Sequence, residues 1–521
     1  MQSFRTLFAL ALTGIALAPV ARAQNDYDLD KLTAGTLGGP LQLVVQNAPA
    51  SSAMFIMLSS SGGPTPIAVV DPGDPRSVEV GVELINSWFF TVTSTGGTGG
   101  LAVTVPNSPP FQGLRLHWQT FTFPGTTTTI GQISNDVVTQ FGAAGSSTAN
   151  AVGLGAARSF AVAFANTQLN AGQGDVIVAG GGAGTLTAAT GLATTEIVDF
   201  RELSTRPGPS MANSRALHLA FPLLDGRVLV CGGADATGLV LNTCELYNPA
   251  TNSWSPAAGM SIPRVLHGGC RLADGRVLVA GGTSSLADPL SIVLGARNSA
   301  EIYNPATNTW SAAANIGGSR ISPALSLLPN GRALVSGGLE VSFVLGFPIA
   351  AGTTAAAQTY NPATNSWAAA APMPVARTGH QYNQVTLPNG RVLITGGVSV
   401  SVNLTAGTLT ATPLANAEYY DQPSNSWTAV NMPTARSLHS ATLLPGGRVA
   451  VCGGAQGTID VPVPLANVEV FDPSTNLWSV QPPLLAPRSA HTAAMLPDGT
   501  LVLIGGQDGL TTTASIELRH F

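Results

Sequence analysis

Short apolar runs that close on a glycine pair punctuate most of the chain. The pairs are Gly180-Gly181, Gly232-Gly233, Gly281-Gly282, Gly337-Gly338, Gly396-Gly397, Gly453-Gly454 and Gly505-Gly506, at steps of 52, 49, 56, 59, 57 and 52 residues. An arginine precedes each run (Arg158, Arg215, Arg264, Arg320, Arg377, Arg436, Arg488), and a turn such as Asp274-Gly275-Arg276 or Asn389-Gly390-Arg391 leads into most of them. After five of the pairs comes an acid or amide two residues before an aromatic: Glu245 and Tyr247, Glu301 and Tyr303, Gln358 and Tyr360, Glu418 and Tyr420, Glu469 and Phe471. A turn of the type Asn248-Pro249-Ala250-Thr251-Asn252 then delivers Trp254, with counterparts Trp310, Trp367, Trp427 and Trp478. Runs this short, bounded by Asp-Gly and Asn-Pro turns and without helical periodicity, predict four strands per unit. One such sheet leaves both faces bare, so the units must stack on one another around an axis.

This constellation resembles the kelch repeat, marked by a double glycine, a spaced aromatic and a tryptophan per blade. The resemblance covers residues 155–521 seven times over. It implies an all-β fold, a seven-bladed kelch-type β-propeller similar to the central domain of galactose oxidase. The glycine pairs would then permit close backbone approach, with Tyr247, Tyr303, Tyr360 and the tryptophans filling the wedges between blades. Two units depart from the pattern: the first has Glu196 and Phe200 but no tryptophan before Met211, and the last ends at Phe521, just past Glu517. Because an unpaired sheet edge is costly, residues within 134–155 are expected to supply the missing outer strand.

Ahead of the repeats, alternation in 77–92, 101–105 and 114–123 predicts a small β-sandwich-like domain over residues 24–141, followed by a linker and closing segment over 142–154. Residues 1–23 combine Arg5, an apolar stretch from Leu7 to Ala18 and the ending Ala21-Arg22-Ala23, the pattern of a secretory signal peptide cut after Ala23. The expected location is secreted or extracellular, the periplasm or outer surface included. No segment reaches the ~20 apolar residues of a spanning helix.

Charge then narrows the partners. Only 9% of the 521 residues are charged, against roughly 25% in an average domain. Lys31 is the single lysine among 22 cations, set against 27 acids, which excludes a polybasic nucleic-acid binder. Cys231 and Cys244 lie in one predicted hairpin, so their spacing permits a local disulfide; small buried thiols are the alternative and preferred reading, for Cys270 and Cys452 as well.

Five of the seven histidines share one register, Arg-x-x-His: His218, His267, His380, His439 and His491. With Arg264, Arg320, Arg377, Arg436 and Arg488 they are the candidate binding residues at the channel mouth, next to long apolar and hydroxyl-rich loops at 283–299, 339–356, 398–416 and 455–467. The competing reading is structural, since a residue fixed by repeat register reports packing in every blade, and one Arg with one Glu or Gln per unit suits a repeated internal ion pair. A ligand-binding arginine should be exposed and unpaired.

Galactose oxidase resemblance raises a copper-radical oxidase, whose inner-strand motif places a Tyr directly before a ligand His. Here the residues before the repeat histidines are Leu217, Leu266, Gly379, Leu438 and Ala490, and His380 with Tyr382 is the nearest couple. The sequence therefore favours an exported, monomeric, non-catalytic propeller without cofactor or metal, binding a protein or glycan. The alternative is an oxidase-like or other propeller enzyme with its site on the long-loop face.

Overall fold

A computed structural model of the chain describes residues 27–60, 62–66, 77–80, 88–123, 132–166, 174–183, 190–458, 461–509 and 511–521. The signal-peptide pattern lies outside them. The described chain divides into two compact units, one built on the N-terminal 144 residues and one on 145–519.

In the second unit the repeat pattern becomes seven consecutive four-stranded antiparallel sheets. The sheet of the second repeat is typical: Leu219–Pro222, Val228–Cys231, Cys244–Asn248 and Ser253–Ala257, paired in sequence order. Second strands such as Val228–Cys231, Val277–Ala280, Val392–Thr395 and Leu501–Ile504 are buried at every residue because a neighbouring sheet covers each face. The innermost strands, Val162–Ala165, Leu219–Pro222, Gly268–Arg271, Ala324–Leu327, Gln384–Thr386, Ser440–Leu443 and Thr492–Met495, each touch the next, and the last touches the first. The sheets therefore form a closed ring.

Closure uses both ends of the unit. Ser147–Ala149 pairs antiparallel with Ile516–Arg519, placing Ser147 opposite Arg519, and becomes the outer strand of the seventh sheet. Arg519 Nη1 donates to Ser147 Oγ at 3.1 Å.

Aromatics fill the wedges. Tyr303 packs among Leu229, Val279 and Met260, and its hydroxyl donates to Asn308 Oδ1 at 2.9 Å. Asn308, at φ 51°, also accepts from the Ala258 N–H of the preceding blade at 2.9 Å. Asparagine suits this position because it tolerates the left-handed region and supplies the acceptor. Trp310 Nε1 donates to Ala258 O at 2.8 Å, and Trp367 and Trp427 repeat that bond to Ala314 and Ala371. The glycine pair is needed twice over: Gly232 sits at φ +65°, and a Cβ there would lie 2.4 Å from Arg264 O.

The long loops carry regular structure of their own. One loop folds as a short helix, Pro289–Leu294. Two others form hairpins, Leu339–Val344 with Phe347–Thr353 and Val398–Asn403 with Thr408–Pro413, which join Ser319–Ile321 in a five-stranded sheet. Their apolar residues, among them Leu286, Ile292, Val293, Leu339, Val341, Val400 and Ala411, bury one another in a second core that also takes in Leu217 and Leu266. Burial of this much apolar surface is what orders segments without repeat register.

The first unit is a small β module. A three-stranded sheet (Asp28–Lys31, Pro40–Gln46, Gly99–Thr104) and a four-stranded one (Trp88–Val92, Ala53–Ser59, Arg115–Phe123, Val137–Gln140) share a core of Leu41, Leu43, Met54, Ile56, Trp118 and Phe141. Lys31 is 3% exposed, and its Nζ donates to Val138 O at 2.9 Å.

Candidate functional site

The repeat arginines are not accessible. Arg158, Arg215, Arg264, Arg320, Arg377, Arg436 and Arg488 rank among the largest fully buried side chains. Arg264 is representative: Nη1 donates to Gly281 O at 2.8 Å and Ser299 O at 3.0 Å, while Nη2 meets Glu301 Oε1 at 2.8 Å. Glu301 Oε2 accepts from the Ser261 N–H at 2.7 Å, so one ion pair ties the glycine pair, the third strand and the blade-to-blade crossover together. Arg158–Glu196, Arg215–Glu245, Arg377–Glu418, Arg436–Glu469 and Arg488–Glu517 repeat it. In the fourth blade Gln358 takes the glutamate register and accepts from Gly317 N–H, while Arg320 donates to Ala356 O at 3.0 Å and Gly317 O at 3.3 Å and has Glu340 as a nearby negative charge. A binding role for Arg264, Arg320, Arg377, Arg436 and Arg488 is thereby corrected: each is buried at 2% exposure or less and engaged inside the blade.

The histidines do not converge either. Each lies at a blade interface, with its ring Cε1 against the first glycine of the preceding blade's pair: His218 on Gly180, His267 on Gly232, His380 on Gly337, His439 on Gly396 and His491 on Gly453. Across the interface His439 Nε2 meets Thr395 Oγ1 at 2.8 Å and His491 Nε2 meets Ser440 Oγ at 2.9 Å. Burial, aided by the neighbouring arginine, pushes His267, His380 and His491 down to about 3, and His218 and His439 move the same way. The expectation that His267, His380, His439 and His491 present themselves to a ligand is corrected accordingly: all are 8% exposed or less, neutral and spent on packing. Cys231 and Cys244 stand directly opposite one another in register yet carry free thiols, as do Cys270 and Cys452. The local disulfide is thus not formed in this structure. A hydrogen bond between the two thiols and burial raise the Cys231 thiol, and burial pushes Cys270 up to about 12.

Chemistry is instead concentrated on the axis. The residue two after each repeat arginine is left-handed in all seven blades: Phe160, Leu217, Leu266, Ser322, Gly379, Leu438 and Ala490, with φ between 50° and 71°. For six of them this is a conformation that a side chain resists, and such residues cluster at sites held by their surroundings. Part of the hold is a run of bonds from blade to blade: Phe160 N–H to Ala490 O at 2.9 Å, Ala490 N–H to Leu438 O at 2.8 Å and Ser322 N–H to Leu266 O at 2.7 Å. The ring frames a cavity of about 410 Å³ along the channel.

Tyr382 stands in that cavity. Twelve positions separate Arg377 from Asn389, where ten separate Arg215 from Asp225, Arg264 from Asp274 and Arg488 from Asp498. The two extra residues shorten the fifth inner strand to Gln384–Thr386 and bring Gln381, Tyr382 and Asn383 to the axis. Tyr382 is 43% exposed, and its hydroxyl reaches across to Leu217 O at 3.4 Å. Surrounding protein raises the phenol above its ordinary value. The sequence carried this signal as a length irregularity; the left-handed ring had none, because Phe, Leu, Ser, Gly and Ala share no side-chain chemistry.

The chain matches the Kelch motif family model over residues 217–261 and 267–317. It is 27% identical over 161 residues to Kelch-like protein terF of Aspergillus terreus (strain NIH 2624 / FGSC A1156), covering 30% of this chain and 33% of that one. It is 29% identical over 160 residues to Kelch-like protein 25 of Xenopus tropicalis, covering 30% and 25%. The matched stretch is thus a third or less of either relative. Among solved structures it resembles a fungal alcohol oxidase of the AA5 family in complex with copper, with a TM-score of 0.53 and 19% identity over 72% of this chain and 75% of that one. That likeness concerns the fold. Copper needs converging imidazole, phenolate or thiolate donors. Among the described residues no three of His, Cys, Asp and Glu gather at one point, and Tyr382 faces a backbone carbonyl, so the donors present do not fit the metal.

Proposed function

We propose that this kelch-repeat β-propeller is an exported, non-catalytic binding module that docks a protein partner on its long-loop face. One observation carries the reading: the hairpin Leu339–Val344/Phe347–Thr353 holds Leu345 at 93%, Phe347 at 73% and Ile349 at 62% exposure on an ordered sheet that has its own core. An uncharged apolar tip of this kind is characteristic of protein interfaces, where charge is depleted and aromatics are enriched. The neutral hydroxyl-rich surroundings agree with it, as does the leader-like pattern of residues 1–23. A glycan ligand fits less well, because only one of these tip residues is aromatic and sugar recognition relies on aromatic faces.

The test compares the protein with a Leu345→Ser/Phe347→Ser variant. Proteins from the producing cell's exterior that are retained by the immobilised wild type should be lost on the variant, and one purified partner should bind the wild type at least tenfold more tightly. Equal retention on both would refute the docking face. Stoichiometric copper with hydrogen peroxide release would refute the non-catalytic assignment.

A further inference from the structure

The bulge in the fifth blade leaves a buried polar atom unmet. It adds two residues, shortens an inner strand and buries Gln381 Oε1 without a hydrogen-bond partner, and an unmatched buried amide of this sort calls for a reason. Six other blades build the same ring without it. What it adds is Tyr382, a half-exposed phenol inside a cavity of about 410 Å³, the size range of small-molecule pockets. A tyrosine placed only to plug the channel would be packed tight; this one keeps 43% of its surface free, and its hydroxyl, bonded to the Gln381 side chain, spends its proton only on a long 3.4 Å contact to Leu217 O that a ligand acceptor could replace.

The walls specify the rest. Phe160, Leu217, Leu266, Leu438 and Ala490 are apolar, and no lining residue carries charge. His218, His439 and His491 border the cavity but are held neutral by burial. An anion or cation entering would lose its hydration with no counter-charge to meet it, which costs several kcal/mol.

We propose that the axial cavity is a binding site for a small uncharged molecule with an apolar body and one hydrogen-bonding group, anchored by the Tyr382 hydroxyl. The site shares Leu217 and Leu266 with the loop-face core and does not depend on a protein partner.

Saturation-transfer NMR on the full chain tests this with benzamide and acetanilide as probes and benzoate and benzylamine as their charged counterparts. The uncharged pair should bind and the charged pair should not. Tyr382→Phe keeps the ring but removes the hydroxyl, and should weaken binding about three- to tenfold, the worth of one hydrogen bond, with an unchanged melting temperature. Ala163→Phe, on the channel wall, should abolish binding by filling the space. The proposal is overturned if neither uncharged probe binds the wild type, if the charged counterparts bind equally well, or if Tyr382→Phe leaves affinity unchanged.

Discussion

Exchanging the partners of two buried arginines tests whether the repeat ion pairs are structural supports. Glu301→Gln leaves Arg264 fully buried with its bonds to Gly281 O, Ser299 O and Ser299 Oγ intact but without an anion. Breaking a buried pair from one side typically costs ~3–5 kcal/mol. The fourth blade shows that an amide can hold the crossover, since Gln358 Oε1 accepts from Gly317 N–H at 3.0 Å, so the lower end, about 3 kcal/mol, is expected. For a unit of about 370 residues, unfolding entropy near 2.1 cal/mol/K per residue turns this into a fall in Tm of ~4 °C. Gln358→Glu is the reciprocal change: it adds to the nearby charge of Glu340 the repeat-register carboxylate that the other six blades provide. A gain of ~1–2 kcal/mol is expected, a charged hydrogen bond less the cost of burying the new anion. Differential scanning calorimetry and urea unfolding read both. A Glu301→Gln variant as stable as the wild type, or a Gln358→Glu variant less stable, would refute the reasoning.

Acid should destabilise the propeller early. The five buried histidines are neutral in the folded state with depressed affinities for protons, while in the unfolded chain they titrate near 6.5; their contribution is complete above that pH and is lost as pH falls below 6.5, down to about 3 for His267, His380 and His491, at up to ~1.4 kcal/mol per histidine per pH unit. Urea midpoints between pH 7.5 and 5 should therefore drop steeply, and His267→Gln should flatten the slope. At the outer turn, Asn308→Ala places a methyl group at φ 51° and removes the acceptor for Tyr303 Oη and Ala258 N–H, for a loss of ~2 kcal/mol; Asn308→Gly, which keeps the backbone relaxed, should lose about half of that in the same melts.

What the residues revealed in advance followed from repetition. Glycine pairs and arginines recur at one register in seven units and tryptophans in five, each meeting the same kind of neighbour, so burial and partner can be inferred for Arg264 from its likeness to Arg436. The same logic hid the chemistry. His267 and His491 looked like ring-forming ligands in one dimension, but register fixes each on its own blade interface. The loops carry no period, and only three-dimensional contact showed that Val293, Val341 and Val400 form one core while Leu345 and Phe347 stay outside it. Tyr382 was visible as a residue near His380; its place on the axis needed the two-residue excess to be read as a bulge.

The joining of Ser147–Ala149 to Ile516–Arg519 also sets a timetable. Synthesis runs at about 5–20 residues per second, so the strand that begins the ring waits tens of seconds for its partner. Until then the growing stack presents two bare ends, one at each terminal blade, and joining strands separated by 372 positions costs ~5 kcal/mol of chain entropy. Completion is therefore a late, concerted event. Removing Ile516–Arg519 would take away the closing partner altogether and leave an open stack, whatever the quality of the six blades already made.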